Sequence, residues 1–146
     1  YDNWRKAIEH VEDTGMRVLV ENTAGGKNSV ARYMDSIERL WEVIGHLNVG
    51  LCLDTCHTWA GGIPTEKAVK GFKKLVKKID LVHFNDSKDG FESSRDRHEN
   101  LGKGQIPKAE LEYVINNCKT DIVVETPGGL EAQKKDIAWI KRRLKK

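Results

Sequence analysis

Apolar residues recur along this chain in two rhythms. Between Asp2 and Thr14, Trp4, Ile8 and Val11 stand three or four residues apart, which predicts one face of an amphipathic helix ended by Gly15. Arg17-Val18-Leu19-Val20-Glu21 reads instead as a buried strand closed by an acid. Ala24-Gly25-Gly26-Lys27 is a loop, after which Asn28 or Ser29 is placed to cap a helix bearing Val30, Met34, Ile37, Trp41 and Ile44. Val49 to Asp54 is the next strand. Beyond Gly61-Gly62-Ile63-Pro64, Thr65 can cap a helix with Val69, Phe72, Val76 and Ile79 on its apolar side and its lysines toward solvent. Leu81-Val82-His83 is a third, short strand. Residues 85–106 show no period and are rich in charge, a length that marks a functional or disordered loop. Pro107 then starts a helix with Leu111, Val114 and Ile115 inside, Asp121 to Glu125 is a fourth strand, and Pro127-Gly128-Gly129 leads into a last helix with Ile137, Ile140 and Leu144 on its apolar side.

This order, one helix and then four strand–helix units with continuously apolar strands, predicts an α/β chain whose parallel sheet is covered by helices. Residues 1–146 are expected to form one domain, with neither sequence repeats nor low-complexity segments.

Composition narrows the class without changing the fold. With 38% apolar and 32% charged residues the chain can build a core. No apolar run approaches the roughly 18 residues of a membrane span, and the first residues lack the order of a signal peptide, so the cytoplasm is the expected location. Cys52, Cys56 and Cys118 fit neither a zinc ribbon nor a disulfide framework and read as reduced thiols. A net charge of +3 does not by itself demand a polyanionic partner, but the basic residues are unevenly placed and leave nucleic acid open.

The candidate chemistry lies where the strands stop. Glu21, Asp54, His83 and Glu125 each end a predicted strand, and in parallel α/β barrels such ends converge on one axis, so the four side chains are expected to meet. Their oxygen and nitrogen donors suit zinc and its neighbours better than calcium or magnesium. Asp96-Arg97-His98 adds a carboxylate and an imidazole that an extended segment would point the same way. With His57 they offer three ligands and an open position, as catalytic zinc requires. A bridging carboxylate between neighbouring cations suits hydrolysis of a phosphate ester. His10 and His46 fall in predicted helices away from the strand ends and are read as surface or packing residues.

Three stretches carry a resemblance: Glu21-Asn22-Thr23-Ala24-Gly25; Gly50-Leu-Cys-Leu-Asp-Thr-Cys-His57; and Val82-His-Phe-Asn-Asp-Ser-Lys88 with Asp96-Arg-His98 and Leu101-Gly-Lys-Gly104. Along essentially its whole length the chain resembles the endonuclease IV family of zinc-dependent apurinic/apyrimidinic endonucleases of base excision repair. The resemblance implies four βα units of a TIM-type, xylose isomerase-like barrel, its C-terminal half. It implies that Glu21 bridges two of up to three zinc ions, that Asp54, His83 and Glu125 complete one site, and that His57, Asp96 and His98 hold a third ion. Glu21 and Glu125 would be catalytic, and zinc-activated hydroxide would cut DNA 5′ to an abasic site. Lys88, Arg97 and Lys103 become candidate phosphate contacts.

Two departures accompany the resemblance. Glu92 stands where the family usually has glycine, which bears on the course of that loop. A complete barrel of the family has eight strands, typically about 250 residues, so two histidines of the remaining zinc site and the groove-entering loops are expected to be absent here. A second half-barrel or self-association would then cover the exposed sheet edges. Two other readings stay open: a metal-dependent sugar isomerase or epimerase of the same barrel superfamily, which has no use for a third metal, and a catalytically silent half-barrel.

Overall fold

The computed structural model describes residues 1–12, 14–26 and 28–145. Its elements run α1 (Asp2–Glu12), β1 (Val18–Glu21), α2 (Met34–Ile44), β2 (Val49–Asp54), α3 (Thr55–Gly61), α4 (Thr65–Leu75), β3 (Leu81–His83), β4 (Asp86–Ser87), β5 (His98–Glu99), α5 (Lys108–Asn117), β6 (Asp121–Val123) and α6 (Gly129–Arg143). Strands β1, β2, β3 and β6 form one parallel sheet in that order, and β4 and β5 pair antiparallel beside it. This is the predicted α/β arrangement, a partial barrel of βα units.

The register explains how the two sheet faces differ. Val20 pairs with Leu51, and Leu53 with Val82 and through it Ile122. These residues face the helices, where Leu51, Leu53 and Val82 pack with Val69, Phe72, Leu111 and Val114 in the larger core cluster. Side chains alternate along a strand, so Leu19, Glu21, Cys52, Asp54, His83 and Val123 face the other way. Leu19 and Val123 on that face are exposed. A smaller cluster of Ile8, Val20, Leu40, Ile44 and Val49 seats α1 and α2 against β1.

Several expected boundaries move, each for a local reason. The second helix begins at Met34 rather than after Asn28 or Ser29. Ser29 Oγ is engaged with Thr23 Oγ1 instead, while the Tyr33 N–H donates to Ser36 Oγ at 3.3 Å at the real helix start. Helix α4 is not capped by Thr65. The Thr65 N–H donates to Glu110 Oε2 of α5 at 2.6 Å, so the cap comes from the neighbouring helix. Helix α4 also stops at Leu75, leaving Val76 and Ile79 beyond it, and β6 stops at Val123, two residues short of Glu125. In α6 it is Trp139 and Ile140 that are buried, together with Asp136, whereas Ile137 and Leu144 are exposed. Helix α3 and the β4–β5 ribbon inside the 85–106 stretch had no periodicity to announce them. Asp13 of the first predicted helix and Lys27 of the predicted loop lie outside the described residues.

A candidate metal centre at the strand ends

Strand β2 is buried along its full length and delivers Asp54 at its end, and α3 starts immediately. Asp54 Oδ1 accepts the His57 N–H at 2.7 Å, so the same carboxyl group caps the helix that carries His57. Its other oxygen, Oδ2, accepts from Asn85 Nδ2 at 2.8 Å and lies 3.7 Å from His98 Nε2. Burial pushes the Asp54 carboxyl above the usual range, opposed by the fields of His57 and His98.

All seven residues singled out as ligands come together. Ligand atoms of Asp54, His83 and Glu125 lie within 4.8 Å of one another, as do those of His57, Asp96 and His98, and of Glu21, Asp54 and His57. The groups are contiguous rather than separate, because His57 faces both ways. Its Nδ1 lies 3.2 Å from Glu21 Oε1, and its Nε2 lies 3.1 Å from Asp96 Oδ1. His83 Nδ1 lies 3.3 Å from Glu21 Oε1 and 3.3 Å from Glu125 Oε2. Burial works against charge on His57, yet the hydrogen bond with Glu21 and the carboxylates of Asp54 and Asp96 raise it to about 10. Glu21 itself is held below its ordinary range: its burial opposes the charge, and His57 and His83 outweigh it.

The imidazole tautomers give a test of whether a cation fits. His57 Nδ1 is 2.8 Å from the Asn22 carbonyl, and His98 Nδ1 is 3.4 Å from the Glu125 carbonyl. A carbonyl oxygen only accepts, so each Nδ1 bears hydrogen and, in the neutral ring, each Nε2 presents a lone pair. These two Nε2 atoms are buried and lack hydrogen-bond partners, and both stand 3.1 Å from the same Asp96 Oδ1. Facing one carboxylate oxygen, the two Nε2 atoms need positive charge between them, either ring protons or a shared cation that replaces them, and backbone carbonyls behind the rings are the usual support of metal-binding histidines. The donor set fits a divalent metal of the zinc type.

Four residues that hold this centre were not singled out from sequence. Asn22 exchanges two bonds with the Asp54 backbone, at 2.8 and 3.1 Å, besides receiving His57 on its carbonyl. Asn85 is fully buried, donates to Asp54 Oδ2 and Glu125 Oε2, and accepts the Glu125 N–H at 2.8 Å. Asp86 gathers four backbone amides: Ser87 and Ile106 on Oδ1, Gly102 and Gly104 on Oδ2, at 2.8 to 3.1 Å. This fastens the ribbon in which Ser87 faces His98. Gly104 has no room for a Cβ against Asp86 and Ser87, and Gly102 sits at φ 78°, which accounts for the Leu101-Gly-Lys-Gly104 pattern. Asp136 of α6 closes the far end, accepting the Leu101 N–H, Asn100 Nδ2 and Thr126 Oγ1. Asn22 and Asn85 each lie one or two residues beyond a strand-end ligand, a position that would have drawn attention to them.

Glu92 takes φ 62°, in the left-handed region that glycine favours, and its N–H donates to the Trp59 carbonyl at 3.0 Å. The loop therefore keeps a glycine-like course with a glutamate in place. Of the candidate phosphate contacts, Lys88 and Lys103 are exposed. Arg97 is engaged by both its Nε, at 2.6 Å, and its Nη2 with the Asp89 carboxylate.

The sequence matches the AP endonuclease 2 family, a xylose isomerase-like TIM barrel, over residues 1–143. The chain belongs to that family. It is 46% identical over 143 residues to a probable endonuclease 4 of Mycobacterium tuberculosis, covering 98% of this chain and 56% of that protein. It is 44% identical over 144 residues to a probable endonuclease 4 of Mycobacterium ulcerans, with 99% and 56% covered. The chain thus spans about half the length of the curated relatives it matches. Endonuclease IV of Thermus thermophilus superposes with a TM-score of 0.79 at 28% identity, over 94% of this chain and 54% of that one. A D-tagatose 3-epimerase-like protein shares the fold alone, with a TM-score of 0.71 at 20% identity, over 97% of this chain and 52% of that one. No helix among the described residues is long and apolar enough to cross a membrane.

Proposed function

We propose that this chain is the metal-bearing half of a zinc-dependent endonuclease that cuts DNA on the 5′ side of abasic sites. The observation that carries the reading is the pair of buried, unpartnered imidazole nitrogens facing one Asp96 oxygen, directly beside the Glu21, Asp54, His83 and Glu125 group. A sugar isomerase or epimerase has no use for the Asp96 and His98 donors.

In this reading Glu21 would bridge two cations, Asp54, His83 and Glu125 would complete one site, and His57, Asp96 and His98 would hold another. Bound divalent ions would supply Lewis-acid stabilisation of phosphoryl oxygens and favour a nucleophile at neutral pH. The protein's own part is orientation. The Asn22 and Glu125 carbonyls hold the His57 and His98 rings with Nε2 toward Asp96. The Asn85 amide fixes Asp54 and Glu125 relative to each other. Glu21 lies between His57 and His83, at the middle of the cluster, and Glu125 and Asp96 are its more open edges. Lys88 and Lys103 are free to meet DNA phosphates, and Arg97 would do so by exchanging its Asp89 partner.

The test is incision of a duplex carrying one abasic analogue by the purified chain over a range of zinc concentrations. Cleavage 5′ to the lesion, abolished by Glu21→Gln, supports the reading. No incision by this chain, together with none after addition of the remaining half of a related barrel, refutes it. Incision only with that added half assigns the reaction to the reassembled barrel.

A further inference from the structure

A group of lysines gathers at the end of the sheet opposite the metal centre. Residues 65–78 hold six lysines and one acid, Glu66, which pairs with Lys70 at 2.6 Å. Past the end of α4, Lys77 and Lys78 project into a cavity of about 280 Å³ that Lys73, Lys119, Asn116 and Asn117 also line, with no carboxylate among its walls. Next to it a second cavity of about 440 Å³ shares Lys119 and Asn116, adds Lys145, and again has no acid. A third, of about 530 Å³, shares Lys77 and Lys78, and its one acid, Asp80, is already paired with Arg17 at 2.8 Å. Lys77, Lys78, Lys119 and Lys145 form no ion pair among the described residues, whereas Lys73 donates to the Asn117 carbonyl at 2.6 Å.

The chemistry of this surface selects its partner. It offers ammonium and amide donors around shallow concavities, which suits a run of phosphates. Its one aromatic residue, Trp41 at the third cavity, is half-buried against the core rather than standing out as the exposed anchor around which protein interfaces concentrate their energy. It also lacks the apolar stripe of a membrane-surface helix, because Val69 and Phe72 of α4 are buried in the core. Strand β2 is six residues long, so at ~3.3 Å per residue the two ends of the sheet stand ~17 Å apart. This face is therefore a surface separate from the metal centre, at the other end of the strands.

We propose that the surface around Lys77, Lys78 and Lys119 is a second, sequence-independent binding site for the phosphate backbone of nucleic acid, separate from the metal centre. The choice of nucleic acid as partner rests on the nuclease reading. The site would hold the protein on undamaged DNA while the metal centre stays free.

The experiment measures fluorescence anisotropy of a lesion-free DNA duplex against salt, for the full chain, for Lys77→Gln/Lys78→Gln/Lys119→Gln, and for Lys6→Gln/Lys134→Gln/Lys141→Gln as a control of equal charge change. The first triple variant is expected to bind at least tenfold more weakly at low salt and to lose about 2–3 units of salt slope. The control keeps the parental slope. Cobalt titration of the His57, Asp96 and His98 group should be the same in all three proteins, which shows that the variants are folded. An equal loss in both triples, or an unchanged slope in the first, overturns the proposal. Tighter binding of the parent to phosphatidylserine vesicles or to polyglutamate than to the duplex overturns the choice of partner. Duplex binding is read without incision, so failure of the nuclease reading through an inactive but DNA-bound chain remains distinguishable from failure of this site.

Discussion

Replacing Asp86 with asparagine keeps the shape of the side chain and changes what one of its two terminal atoms does. The native carboxylate accepts four backbone N–H groups, two on each oxygen. In the variant one terminal atom is an NH2, so whichever way the amide turns, two N–H groups meet a donor. A buried donor left unsatisfied costs about 1–3 kcal/mol. Relief of the buried charge offsets part of that cost, since Asp86 is fully buried and its burial pushes the carboxyl upward against the four amides. The net loss is about 3 kcal/mol, which for a domain of this size lowers Tm by roughly 6–12 °C. The damage should reach the metal centre, because the loosened ribbon places His98 opposite Ser87. Loss of such support typically weakens metal binding 10–100-fold. Differential scanning calorimetry and cobalt titration read the two effects. A variant that melts within about 2 °C of the parent and binds cobalt as tightly would refute the role given to Asp86.

Further outcomes follow from the same geometry. Gly104→Ala forces a Cβ against Asp86 and Ser87 and should resemble the Asp86 variant in both Tm and cobalt affinity, while Lys103→Ala between the two glycines should leave Tm unchanged. Glu92→Gly relieves a left-handed residue and is expected to stabilise by about 0.5–1 kcal/mol in denaturant titration, strain relief of ~1–2 kcal/mol outweighing the added chain entropy. Asn85→Asp adds a carboxylate against Asp54 and Glu125 and removes the donor that aligns them, so incision should fall at least tenfold at saturating zinc. Arg97→Ala breaks a solvent-screened surface pair with Asp89, so its effect should appear in duplex affinity rather than in Tm.

The cluster of strand-end side chains was legible because a parallel sheet converts position into proximity. Glu21, Asp54 and His83 end strands whose register is fixed by buried apolar neighbours such as Val20, Leu53 and Val82. Glu125 was found in the same way, although its strand stops two residues earlier. The Asp96 and His98 donors were legible from their alternate spacing. Asp86 was not, because in the charged 85–106 stretch it looks like Asp89 or Asp96, and only its burial under converging amides sets it apart. Helix α3 is seven residues long and sits among buried residues on nearly every side, so it shows no apolar stripe. The start of α2 was misplaced because serine and asparagine are good caps, while the residue at that position, Tyr33, is not one.

Asp54 also limits how the centre can be redesigned. One carboxyl group both faces the cluster and accepts the amide that begins α3, so the residue proposed as a ligand also fixes the direction from which His57 arrives. A histidine or cysteine introduced at position 54 to favour another metal would forfeit the helix start and displace a second ligand with it. Only an acceptor as short as asparagine or serine keeps His57 in place, and neither brings a negative charge. Metal preference is therefore better altered at Asp96, whose exposed carboxyl makes no hydrogen bond on which a helix depends.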